Sequence, residues 1–182
     1  ESIRQPLEDG IVTVSRAAGT WTYPANFLLA AAANPCPCGF YGTKVRPCTC
    51  MPGAVERYRK RISGPILDRI DLHVKVEAVR PEELSTLPGG ETSAEIKKKV
   101  MAARGKQTKR FKGTKMVCNA DMSTRDIRKF CKLDKEVEEK LMQLSNYYHL
   151  SARAHMKTIK VARTIADLAG EKSISIAHIT QA

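Results

Sequence analysis

Four cysteines fall within fifteen residues, as two Cys-x-Cys pairs, in the stretch NPCPCGFYGTKVRPCTC. Cys36, Cys38, Cys48 and Cys50 could form disulfides, a redox switch or a metal site, or could be idle thiols. Two leftover thiols, Cys118 and Cys131, and the lack of an export leader weigh against a secreted disulfide framework. In the reducing, cytoplasmic setting this implies, four thiolates satisfy a tetrahedral zinc ion. Gly39 and Gly42 permit the turns that bring the second pair back, and Pro35, Pro37 and Pro47 stiffen the approach. The spacing is Cys-x-Cys rather than the commoner Cys-x-x-Cys, so the signal falls short of a zinc-finger signature. Four sulfurs leave no open coordination position, so the expected metal is structural and does no catalysis.

Cations are the second chemical feature. The net charge is +12 and the pI about 9.6. That excess implies an anionic partner, most simply nucleic acid. Residues 97–115 hold nine Lys or Arg and no acid, and Arg57, Arg59, Lys60 and Arg61 form a second cluster. A solvated helix face is the bland alternative for either cluster. Aromatic residues make up only 5%, which argues against a platform of many rings stacking on bases.

A chain of 182 residues suits one large domain or two small ones, and 42% hydrophobic with 27% charged residues is a globular balance. The longest apolar run, FLLAAAA at 27–33, is too short to cross a bilayer. The opening ESIRQPLEDG reads as a helix already under way, so a piece of something longer is expected.

Periodicity places these groups on elements. A helix is expected over 2–8. The alternation in GIVTVSRAAGTWTYPA predicts a β-hairpin turning at 17–20, with Trp21 and Tyr23 packed against the sheet. Residues 26–33, apolar throughout, predict a buried parallel strand. Short helices are expected near 55–62 and 65–68, then an alternating strand at 72–76 that carries His73. Pro88-Gly89-Gly90 marks a linker. Beyond it come helices from 94 to about 105 capped by Thr92 or Ser93, from Ser123, from Asp134, from Ser151 to Gly170, and a last turn near Ser175. Cys118 and Cys131 are expected as buried small apolar residues. Arg163 is expected to face solvent or neighbouring helices. No metal spacing joins His149 and His155.

The motifs LEDGIVTVSRA, FLLAAAANPCPCG, RISGPILDRIDLHV and LSARAHMKTIKVARTIADLAG, in this order, resemble the magnesium chelatase-like AAA+ ATPases of the YifB/ComM competence family. The resemblance covers almost the whole chain. It implies an α/β plus all-α fold: a partial AAA+ core of β-hairpin, buried strands and zinc loop over 1–80, a linker over 81–92, and a helical lid over 93–182. The match begins just after the Walker B strand. No Gly-x-x-x-x-Gly-Lys-Ser/Thr phosphate loop is present, so this portion alone is expected to be inactive while ATP and Mg2+ serve the full-length protein.

Site residues carry over by position. Asn34, after the expected strand, matches sensor 1, which orients the attacking water or γ-phosphate; closing the strand is the alternative role. Arg69, in GPILDRID, matches the arginine that reaches a neighbouring subunit's nucleotide; a salt bridge to Asp68 or Asp71 is the alternative. Arg153 matches sensor 2, with a helix-surface arginine as the alternative. Arg16 stands where related minichromosome maintenance helicases point a basic hairpin residue into the ring channel, and could grip a phosphate backbone; an exposed turn arginine is the alternative. The resemblance implies a homo-oligomeric ring, a hexamer, that acts on DNA as in branch migration. Two other classes stand beside it: a zinc-stabilised nucleic-acid-binding module without enzymatic activity, and a chelatase or chaperone-type motor acting on a protein.

Overall fold

A computed structural model describes residues 3–77 and 90–182. It divides into two compact units, Glu1–Leu87 and Pro88–Ala182. The expected linker over 81–92 lies outside the described residues as far as residue 89.

The first unit opens with α1 (Arg4–Asp9), which stops at Gly10 in the left-handed conformation, φ 66°. Strands β1 (Ile11–Arg16) and β2 (Gly19–Pro24) follow as an antiparallel hairpin, with Ile11 opposite Pro24 and Arg16 opposite Gly19. Thr13 pairs with Thr22 and Ser15 with Thr20 through their hydroxyls, so one face of the ribbon is polar. Trp21 and Tyr23 are largely exposed, which corrects their expected packing against the sheet: a two-stranded ribbon has no second layer to cover them.

The buried strand expected at 26–33 and the alternating strand expected at 72–76 are not formed. Residues 26–33 run without a ladder, and Leu28 is 94% exposed. Leu72, Val74 and Val76 are likewise exposed, as is His73 between them. A strand is stabilised through hydrogen-bonded neighbours, and the only described sheet is the β1–β2 pair, which offers neither segment a ladder. The unit continues through the cysteine loop into α2 (Ala54–Arg59) and α3 (Gly64–Leu67). Among its described residues Cys36 alone is fully buried.

The second unit is helical: α4 (Ser93–Arg110), a 3-10 turn (Asn119–Asp121), α5 (Thr124–Phe130), α6 (Lys135–Tyr147), α7 (Ala152–Ala169) and α8 (Ile176–Gln181). Side-chain caps at Thr92, Ser123 and Ser151 set three of the starts. The central α7 contacts α4, the 3-10 turn, α5 and α8. Its buried stripe is Ile159, Ala162 and Ala166, and the first two join a core that includes Phe111, Met122, Ile127, Val137, Leu141, Ile174 and Ile179. Burying a Leu or Ile side chain contributes about 1.5–3 kcal/mol, so this unit carries its own stabilising core. Cys131 lies in that core, and burial pushes its thiol up to about 11. Cys118 is only half-buried, at the start of the 3-10 turn rather than in the core. Among the described residues no helix is long and apolar enough to cross a membrane.

Candidate functional site

The cysteine loop is a chain of tight turns. Gly39 (φ 84°) and Gly42 (φ 75°) occupy the left-handed region, where a side chain would strain the backbone. The Gly39 amide donates to the Cys36 carbonyl (3.0 Å), and the Thr43 hydroxyl lies 3.1 Å from the carbonyls of Phe40 and Arg46. These turns fold the second Cys-x-Cys pair back over the first. The sulfur atoms of Cys36 and Cys38 are 3.3 Å apart, those of Cys36 and Cys48 3.8 Å, and those of Cys38 and Cys48 3.5 Å. With Cys50, all four sulfurs lie within 4.8 Å of one another, and all four thiols are free.

A tetrahedron with metal–sulfur bonds of about 2.3 Å has edges of about 3.8 Å, so the cluster has the dimensions of a four-thiolate site. Its electrostatics agree. Amides at Phe40 and Thr49 hold the Cys38 thiol down at about 5. At Cys50 the amide of Cys38 favours the thiolate, yet loss of solvent and the three neighbouring thiols outweigh it and push the group up to about 12. Four sulfurs this close cannot all carry negative charge unless a cation sits among them. The Tyr41 amide donates to Cys36 sulfur (3.3 Å), the kind of outer contact that orients a thiolate ligand.

The other expected site residues are distributed. Arg16 ends β1 at the hairpin tip, with its side chain in solvent. Asn34 is exposed, two residues before Cys36, and follows an extended segment rather than a strand. Arg69, just beyond α3, is nearly buried and engaged through all three nitrogens. Its Nε donates to Glu8 Oε2 (3.1 Å), its Nη2 donates to the same oxygen, and its Nη1 donates to the Pro65 carbonyl (2.6 Å). Arg153 lies half-buried in the first turn of α7, in the second unit. Among the described residues, then, the four cysteines close on one another, while Arg16, Asn34 and Arg69 share no hydrogen bond or ion pair.

The helical unit contains a polar cluster that periodicity did not reveal. Arg110 at the end of α4 clasps the buried carboxylate of Asp167 on α7 with both terminal nitrogens (2.7 and 2.5 Å). Asn119 from the 3-10 turn donates to the same carboxylate (2.9 Å) and to the Thr164 hydroxyl (3.0 Å). Arg163, expected to face solvent or neighbouring helices, is buried, which rules out the solvent-facing position. It reaches the carbonyls of Lys172 (2.7 Å) and Glu171 (2.8 Å) and stands 3.2 Å from Asp167. The i,i+4 spacing of Arg163 and Asp167 was the one local signal for this cluster. His155 accepts or donates at the Ser145 hydroxyl (2.8 Å), joining α6 to α7, and no metal cluster among the described residues includes a histidine.

Residues 1–84 match the family model described as magnesium chelatase, subunit ChlI, and residues 90–182 match the model of its C-terminal part. Along its whole length the chain is 41% identical to uncharacterized protein YifB of Escherichia coli and 40% identical to competence protein ComM of Haemophilus influenzae. An uncharacterized protein of Mycobacterium tuberculosis is 34% identical over all of the chain. The chain spans about a third of the length of these relatives, covering 35% of YifB and of ComM and 36% of the mycobacterial protein. With both halves matched in order, the chain belongs to the magnesium chelatase ChlI family, in the branch that includes YifB and ComM.

Proposed function

We propose that this chain is the nucleotide-responding and DNA-facing portion of a ring-forming AAA+ ATPase of the ComM type. The supporting observation is the match, along the whole of this chain, to competence protein ComM, a name that ties that relative to competence. In this reading residues 1–80 are the C-terminal half of the ATPase core and 93–182 the helical lid. ATP and Mg2+ bind elsewhere in the longer cytoplasmic protein. Asn34 senses the γ-phosphate, Arg69 reaches a neighbouring subunit's nucleotide, Arg153 couples the nucleotide to the lid, and Arg16 holds the DNA backbone.

The ion held by Cys36, Cys38, Cys48 and Cys50 is zinc. When bound it supplies cross-linking and charge compensation, not reactivity, because the donor set is closed. It stands in for an apolar core in a unit whose described residues bury only Cys36.

ATP turnover by the longer protein, with and without DNA, tests the reading. DNA should stimulate hydrolysis, and Arg69→Ala should lower it by about 10³, the lower end for arginines acting on a transferring phosphoryl group. The 182-residue chain alone should show no turnover. An Arg69→Ala protein with full activity overturns the role of Arg69. Unstimulated turnover that Arg16→Glu leaves unchanged supports a motor acting on protein instead. DNA binding without any turnover by the longer protein supports the non-enzymatic module.

A further inference from the structure

The cysteine loop and the segment through α2 carry more than half of the first unit's Lys and Arg residues on adjoining elements. Residues 36–62 contain six cations, Lys44, Arg46, Arg57, Arg59, Lys60 and Arg61, against one acid, Glu56. Glu56 is paired with Lys60 (2.7 Å) on an exposed face. Among the described residues no ion pair engages Arg46, Arg57, Arg59 or Arg61.

Aromatic rings brace three of these guanidiniums. Arg59 of α2 lies over Tyr41 of the metal loop at 4.9 Å from the ring centre, Arg46 over Phe40 at 5.1 Å, and Arg61 over Tyr58 at 5.7 Å. A carboxylate partner would cancel the charge of an arginine. An aromatic face fixes the guanidinium plane and leaves its charge and its edge donors available. Pro37 of the loop meets Ala54, Arg57, Tyr58 and Arg61 around an open cleft of about 420 Å³. Two arginines therefore line a concavity whose opposite wall belongs to the metal loop.

We infer that the cysteine loop and α2 form one contact surface for a nucleic-acid backbone, with Arg57 and Arg61 on phosphates in the cleft. Arg46 and Arg59 extend the track along the loop. This inference rests on the reading of DNA as the partner and adds a second contact to the one proposed for Arg16. Cations spread over a helix and a loop suit a chain of phosphates better than a single anion. The contacts go to the backbone, so binding is independent of base sequence and steeply salt-dependent.

The test uses the 182-residue chain and a fluorescein-labelled DNA oligonucleotide, single-stranded and duplex, with anisotropy followed across a salt series. Arg57→Glu/Arg61→Glu should weaken binding by about tenfold or more and flatten the log–log salt slope by about 1.5–2, the value for two lost phosphate contacts. Arg57→Lys/Arg61→Lys should keep the slope, because charge is conserved, and lose less affinity than the Glu variant, because only the braced guanidinium edge is removed. Both positions are exposed, and unchanged Trp21 emission and metal content check that the fold is kept. Full affinity in the Glu variant with loss in Arg16→Glu overturns the inference while leaving the DNA reading intact. No binding by the wild-type chain at low salt overturns both. Displacement of the DNA by an equal phosphate concentration of ATP marks a nucleotide pocket and also overturns the inference.

Discussion

Arg69 is tied to Glu8, a residue 61 positions earlier, by two donors converging on one carboxylate oxygen. Together with the Pro65 carbonyl, this pair occupies every nitrogen of the guanidinium. It also joins α1 to the segment after α3, so the same residue that is a candidate for phosphate contact fastens the first unit together. An arginine in this state reaches a phosphate by exchanging Glu8 for it. The exchange is a like-for-like trade of one anionic partner for another, so its cost is modest.

Glu8→Gln separates the two roles of Arg69. Glu8 is 42% exposed, so loss of the ion pair should cost about 1 kcal/mol or less. Trp21 is the only tryptophan in the chain and reports the first unit alone, so its emission in a urea titration measures that loss. ATP turnover by the longer protein should stay level or rise in Glu8→Gln, because the competing anion is weaker. A fall in turnover as deep as that of Arg69→Ala would show that the ion pair itself is what activity needs.

Metal removal should act on one unit and spare the other. The wild-type chain should hold about one zinc per chain by elemental analysis. Cys36→Ser, at the one fully buried position among the first unit's described residues, should lose the ion and lower the Trp21 transition. The helical unit has its own apolar core, so its far-UV circular dichroism transition should not move. Joint loss of both transitions, or an unchanged metal content in Cys36→Ser, would contradict the separate roles.

Local patterns were legible from sequence and distant pairings were not. The helix starts at Thr92, Ser123 and Ser151 could be read because a cap and the amide it serves lie three residues apart. The cysteine cluster could be read because glycines set its turns within fifteen residues. Residues 26–33 misled because an apolar run records burial potential, whereas a strand requires a ladder supplied by other segments. Glu8 beneath Arg69, Tyr41 beneath Arg59 and Arg110 against Asp167 were invisible, because nothing in the intervening sequence encodes those meetings.

The first turn of α4 offers a small, local check. Thr92 and Glu95 satisfy each other's backbone amides in a reciprocal cap, and the Thr92 amide and hydroxyl hold the Glu95 carboxyl below its ordinary value. Thr92→Ala should cost about 1 kcal/mol, read as earlier fraying of α4 by amide hydrogen exchange. Loss of protection across the whole helical unit would show that this end is more tightly coupled to the core than its exposure suggests.

Asp167 should be the largest single electrostatic determinant of the helical unit. Burial alone would raise its carboxyl pKa. The hydrogen bonds from Arg110 and Asn119, with the charges of Arg110 and Arg163, outweigh that effect and hold it below the ordinary carboxylate value. Replacing it with Ala leaves two arginines facing an emptied site and should cost about 3–5 kcal/mol, measured by urea unfolding followed in the far ultraviolet. Asp167→Asn keeps the shape and some hydrogen bonds and should cost less. A depressed folded pKa means that the unfolded chain takes up the proton first as pH falls. The contribution of Asp167 is therefore complete above the unfolded value of about 3.9 and fades as pH drops through the lower folded value. The wild-type unit should lose stability over that acid window, and Asp167→Asn should show a flatter profile there. Equal acid sensitivity in wild type and Asp167→Asn would assign the acid response to other carboxylates, such as Asp121 and Asp126 at the neighbouring caps, whose values are also held down.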